Sequence, residues 1–112
     1  GHQGAGGGVT AELKSLQGRV ERISRLYETQ FSIEPGEDWI VFKLQEELGE
    51  LTQAYLAGTG RSRHWLDGDA ARDALARELA DVLGFTLALA ERMGIDAGSA
   101  LNDKWLRYET GD

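Results

Sequence analysis

Two short acidic strings in this chain echo one another. Glu47-Leu48-Gly49-Glu50-Leu51 and Glu78-Leu79-Ala80-Asp81-Val82 each set a second acid three residues after the first, with a small residue just before it. At about 100° per residue, acids three apart stack along one side of a helix. Taking Leu44 as the reference direction, Leu48, Leu51 and Tyr55 fall within about 40° of it and define an expected buried stripe. Glu47 then lies about 60° to one side and Glu50 about 120° to that same side, while Glu46 points almost directly away. With Leu75 as the reference, Leu79, Val82, Thr86 and Leu89 form a second stripe, and Glu78 and Asp81 take the same two offsets. Both segments therefore carry stacked carboxylates along the same edge of an expected buried face.

Four ionised groups converging at the edge of a core repel one another strongly where the dielectric is low. A divalent cation resolves that repulsion. Hard carboxylate oxygens suit magnesium, which takes octahedral geometry and keeps several waters. Di-iron bundles use a Glu-x-x-His spacing instead. Here the corresponding position is Asp81, and no His lies nearby in either segment. The expected ion is magnesium, with manganese as a substitute, rather than iron. The competing explanation is an amphipathic helix whose acids pair locally. Lys43 sits four residues before Glu47, and Arg77 lies beside Glu78. A single Glu-x-x-Glu is ordinarily such a solvated face. Two copies in matching phase favour a metal site.

Helices must position these acids, and the punctuation of the chain defines four. The first runs from Thr10, a candidate N-cap, to about Gln30, with Leu13, Leu16, Val20, Ile23 and Tyr27 recurring at three and four. Pro35-Gly36 marks a turn. The second helix runs from about Glu37 to Ala57 and is closed by Gly58-Thr59-Gly60. A basic loop, Arg61-Ser62-Arg63-His64, leads to Asp67-Gly68-Asp69, where Asp69 is placed to cap the third helix. That helix reaches about Arg92 before Gly94 stops it. A short fourth spans about Asp96 to Glu109. No stretch alternates as a strand does. The expected fold is all-α, an antiparallel bundle of three long helices and a short fourth.

The first eight residues are five glycines with one His, one Gln and one Ala. They offer little to bury and lose much entropy on ordering, so residues 1–9 are expected to be a flexible arm or a cloning remnant. Residues 10–112 then form one helical domain, whose modest core oligomerisation would enlarge. Nineteen acids against twelve bases give a formal charge of −7, which argues against nucleic acid or an anionic membrane surface as partner. With no cysteine there is neither a disulfide framework nor a thiolate metal site. No apolar run is long enough for a membrane span and no signal peptide opens the chain, so the expected setting is the cytoplasm.

The combined pattern is Glu46-Glu47-x-x-Glu50, then 27 intervening residues, then Glu78-x-x-Asp81. It resembles the signature of the MazG-like all-α nucleoside triphosphate pyrophosphohydrolases. That superfamily includes dimeric dUTPases, dCTP pyrophosphatases and phosphoribosyl-ATP pyrophosphohydrolase. The resemblance covers about Val41 to Tyr108 and is carried by the strings Leu-x-Glu-Glu-Leu-Gly-Glu-Leu and Glu-Leu-Ala-Asp-Val-Leu. It implies cleavage between the α- and β-phosphates of a nucleotide, releasing a nucleoside monophosphate and pyrophosphate. By position it makes Glu47, Glu50, Glu78 and Asp81 magnesium ligands and Glu46 a supporting group. It further implies in-line attack by a water that a carboxylate orients, with Glu47 or Glu50 as the candidate. Association into a homodimer or tetramer is also implied.

A triphosphate site needs positive groups as well. Family members carry such residues in the helix after the second acid pair, and Asn102, Lys104, Arg107 and Tyr108 occupy it here. Lys104 would meet phosphate as a point charge and Arg107 as a fork. The alternative is a solvated basic helix end, which the dipole favours in any case. For the base, Trp39, Phe42 and Trp65 are candidates for stacking and His64 for hydrogen bonding, although packing is the commoner role for each. Trp39 is the best placed, two turns before the acids. Trp105 is expected to pack the fourth helix. Lys43, one turn before Glu47, either leans towards substrate or pairs with the acids. Three functions compete: nucleoside triphosphate pyrophosphohydrolysis, with house-cleaning of surplus nucleotides as its setting; phosphoribosyl-ATP hydrolysis; and a non-catalytic helical module that binds nucleotide or a partner.

Overall fold

A computed structural model of the chain describes residues 4–61 and 66–110. Among them the only regular elements are helices: α1 (Gly4–Gln30), α2 (Asp38–Gly58), α3 (Gly68–Arg92), α4 (Ala97–Lys104) and a closing 3-10 turn (Leu106–Thr110). The all-α expectation holds. α2 matches its expected bounds to within a residue; α3 begins at Gly68, so Asp69 lies in its first turn and does not cap it, and the Ala71 N–H reaches the Asp67 carbonyl. α1 begins six residues before Thr10, so Thr10 lies inside the helix and does not cap it. The fourth element is divided. Asp96 caps α4 by accepting from the Ser99 N–H at 3.1 Å, and the helix ends at Trp105, whose N–H reaches Leu101. Trp105 is exposed and does not pack the helix it terminates. His64 and Trp65 lie outside the described residues.

The chain forms two compact units, residues 1–37 with 87–112, and residues 38–86. In the first, α1 buries a polar face. Gln17, Glu21, Ser24 and Glu28, spaced four, three and four apart, are all buried. They meet the end of α3 and the start of α4. Arg92, with a side chain 3 % exposed, pairs with Glu21 and Glu28. It also donates to Ser24 Oγ at 2.9 Å and to the Gly36 carbonyl at 2.8 Å, which fastens the turn before α2. Gln17 donates to the Ile95 carbonyl at 2.9 Å and accepts from the Ala97 N–H at 2.7 Å. These bonds satisfy groups whose burial would otherwise be costly. Gly98 allows the close approach of α4: a Cβ there would lie 3.0 Å from Thr10 Cγ2.

The expected apolar stripe of α1 is not the buried face. Leu16, Ile23 and Tyr27 are exposed, and Leu13 and Val20 are half-buried. The stripe is centred about 90° round the helix from the polar seam. The guanidinium of Arg92 can be matched only on the seam side, and that fixes which face turns inward.

In the second unit α2 and α3 run antiparallel. Trp39 meets Phe85, Glu47 meets Asp81, and Gly58 meets Ala71. Leu48, Tyr55, Leu79 and Thr86, all placed on expected stripes, are exposed. The more buried positions include Ile40, Glu47, Leu51, Ala54 and Ala57 on α2, and Ala71, Ala74, Glu78, Val82 and Phe85 on α3, while Leu44 and Leu75 of the expected stripes stay half-buried. On each helix this face is turned roughly 60° from the expected stripe towards the acids. Two helices alone cover one another along a single edge, and small residues on that edge let the backbones approach. A Cβ at Gly58 would lie 3.0 Å from Ala71 Cβ.

Candidate metal centre

Because both helices turn by the same amount in the same sense, the two acidic edges meet. Oxygens of Glu47, Glu78 and Asp81 lie within 4.8 Å of one another, and so do those of Glu46, Glu47 and Glu50. Glu47 belongs to both groups. It is 6 % exposed, on a helix face otherwise lined by small and apolar side chains. Burial raises its carboxyl from 4.5 to about 7, helped by a hydrogen bond shared with Asp81 and by the charges of Glu50 and Asp81, with Lys43 opposing. The folded protein therefore resists the ionised state of Glu47 when nothing else neutralises it.

Glu78 adds an independent sign. Its Oε1 is buried and has no hydrogen-bond partner among the described residues. A buried carboxylate oxygen left without a donor costs stability unless a cation fills the place. Buried oxygens from Glu47 and Glu78, with exposed ones from Glu50 and Asp81, make a hard donor set open to water on one side. This suits an ion that retains several waters, such as magnesium or manganese, and no imidazole or thiolate of the described residues lies near to favour a softer metal.

Glu46 corrects the helical-wheel reading. It does not turn away from the acids but stands with Glu47 and Glu50, exposed, its Oε1 accepting from Lys43 Nζ at 2.7 Å. Its offset from Glu50, four residues on, is only about 40°, and a long side chain spans that easily. Lys43 bridges to Glu47 as well, at 3.9 Å. Trp39 is half-buried with its ring edge-on to Phe85 at 6.2 Å, whereas Phe42 is exposed.

Asn102, Lys104, Arg107 and Tyr108 belong to the other unit, all exposed: Asn102 and Lys104 at the end of α4, the other two in the 3-10 turn. Arg107 Nη2 donates to the Tyr108 hydroxyl at 2.7 Å, and its guanidinium lies 4.8 Å from the centre of that ring. Helical spacing did not reveal the Arg92 seam. Its only signal was the polar run Gln17, Glu21, Ser24 and Glu28, hidden beside a more conspicuous apolar stripe.

A family model described as phosphoribosyl-ATP pyrophosphohydrolase matches residues 15–103, a stretch that contains all five acids. Neither the curated proteins nor the solved structures contain a significant match to the chain. No helix among the described residues is long and apolar enough to cross a membrane. With both acid pairs inside the matched stretch and the fold wholly helical, the chain belongs to the phosphoribosyl-ATP pyrophosphohydrolase family, within the MazG-like all-α pyrophosphohydrolases.

Proposed function

We propose that this protein is a magnesium-dependent nucleotide pyrophosphohydrolase that converts a nucleoside triphosphate to the monophosphate and pyrophosphate. The observation that carries this reading is the pair of three-carboxylate groups sharing Glu47. Glu47, Glu50, Glu78 and Asp81 hold the ion, with manganese as an alternative. When bound, the ion offsets the charge of the polyphosphate and draws electron density from the scissile anhydride. Glu47 and Glu78 supply the buried side of the site and fix its position through α2 and α3. Glu50, exposed on the solvent side, orients the attacking water by accepting one of its protons, and Glu47 is the other candidate for that role. Glu46 holds Lys43 close to the acids, where the ammonium is available to a phosphate oxygen. Asn102, Lys104, Arg107 and Tyr108 are proposed phosphate contacts, and Trp39 a base contact. The setting is the cytoplasm, and the role fits control of surplus nucleotides.

A second reading, phosphoribosyl-ATP as substrate, is favoured by the family model that matches. Both substrates present the same triphosphate to the same acids, so the carboxylates do not choose between them. The test is product analysis with magnesium over common and deoxy nucleoside triphosphates and phosphoribosyl-ATP. Equimolar monophosphate and pyrophosphate are expected from at least one. Folded protein that turns over none of them, or that releases orthophosphate, would defeat the proposal.

A further inference from the structure

The acidic edge of α3 carries a guanidinium that pairs with none of its acidic neighbours. Arg77 stands beside Glu78 and four residues before Asp81, with Asp73 one turn behind it. It forms an ion pair with none of the three among the described residues. Arg77 is exposed, while Glu78 Oε1, next to it in sequence, is buried without a donor. For Glu78 and Asp81 the reason is geometric. Adjacent residues point about 100° apart, and a base placed four residues before an acid is the weaker order for a helical pair. Helical side chains also tilt towards the N-terminus, which carries this guanidinium away from Asp81.

The position of Arg77 mirrors that of Lys43. Each lies four residues before an acid and about 40° from it on its helix, Lys43 before Glu47 and Arg77 before Asp81. The helices run antiparallel with Glu47 against Asp81. The two cations therefore lie about 6 Å to opposite sides of the acids along the hairpin, and bracket them. The two ends differ in what lies beyond. Past Lys43 stand Trp39 and Phe85, ring edge to ring face at 6.2 Å. On the side of Arg77 the same edge continues with Ala54 and Ala74, which offer no ring for a base to stack on. A guanidinium fork suits a terminal phosphate, whose oxygens accept in parallel. We propose that Arg77 binds the departing pyrophosphate, so that a nucleotide lies along the hairpin with its base towards Trp39 and its terminal phosphate towards Arg77. The assignment rests on the hydrolysis proposed above. The water oxygen bonds to the α-phosphorus as the bond from that phosphorus to the α,β-bridging oxygen breaks. One water proton passes to Glu50, and the electron pair leaves on the pyrophosphate, where Arg77 meets the added charge.

The test is product inhibition of the full chain in magnesium, with calorimetry of inorganic pyrophosphate alongside. Arg77→Gln should weaken pyrophosphate, as ligand and as inhibitor, by about tenfold or more and lower kcat/KM at least as far. Inhibition by the nucleoside monophosphate should not change, and helicity should stay intact because Arg77 is exposed. Arg77→Lys should recover part of the loss. Arg72→Gln, about 140° round the same helix, should behave as the wild type. Trp39→Ala should show the reverse pattern, weakening the monophosphate and sparing pyrophosphate. An Arg77→Gln protein that binds pyrophosphate as the wild type does, or that loses the monophosphate instead, would overturn the assignment; with turnover retained, it leaves the catalytic reading standing. A folded wild type that binds pyrophosphate but hydrolyses no nucleotide would defeat the catalytic reading and this assignment together.

Discussion

Replacing Glu47 with Gln removes an ionisation that the folded protein opposes. Its carboxyl rises from 4.5 to about 7 on folding, chiefly through burial. At about 1.4 kcal/mol per pH unit, and discounted for water on the open side of the site, this is worth about 1–2 kcal/mol to the protonated form. The sign follows from linkage: the folded chain binds this proton more tightly than the unfolded chain does. Without metal, the contribution is complete below pH 4.5, fades as pH rises, and is lost above about 7. Glutamine mimics the protonated acid and can still donate to Asp81. In the presence of a chelator, Glu47→Gln should therefore be more stable than the wild type at pH 8, by about 1–2 kcal/mol, read as a Tm higher by several degrees. The difference should shrink towards zero near pH 4.5. Magnesium at a hundredfold excess over its Kd should add about 2.7 kcal/mol to the wild type at pH 8 and little to the variant. Thermal and urea melts at the two pH values, with and without magnesium, read all four quantities. A variant less stable than the wild type at pH 8 without metal would refute the reasoning, because Glu47 would then be stabilising as an anion.

Other perturbations test neighbouring parts of the account. Asp81→Asn or Glu50→Gln should lower pyrophosphate release at least about a hundredfold with far-UV circular dichroism unchanged, since each removes an oxygen from the charged site without altering its helix. Arg92→Met removes the buried cation that Glu21 and Glu28 share, leaving Glu21 paired with the more exposed Arg25, and should cost about 3 kcal/mol in urea unfolding. Adding Glu21→Gln and Glu28→Gln should recover much of that loss. Ser32, the only described non-glycine residue with positive φ (53°), follows α1 where glycine is usual. Ser32→Gly should raise stability by about 0.5 kcal/mol or more, read as a higher Tm.

The acid constellation was legible in the sequence because three-residue spacing on a helix fixes direction, and equal phase on two helices survives a common rotation. That rotation was not legible. The apolar stripes of α2 and α3 suggested one inward face, yet Gly58, Ala54, Ala71 and Ala74 let the helices approach on the acid side instead. α1 misled for a related reason. Apolar periodicity marked one face, whereas the face buried within the chain was set by a single distant cation, Arg92, matched to Glu21 and Glu28. Glu46 was misjudged because direction from the helix axis was weighed without side-chain reach. The break at Trp105 had no glycine or proline to announce it.

The measurement that bears most directly on the central claim is magnesium-dependent pyrophosphate release by the wild type beside Glu47→Gln, both verified as folded. The account predicts turnover in the wild type that vanishes with chelation and returns with magnesium or manganese, and no turnover in the variant at any metal concentration. Comparable activity in the variant, or activity in the wild type indifferent to chelation, would contradict a metal centre built around Glu47.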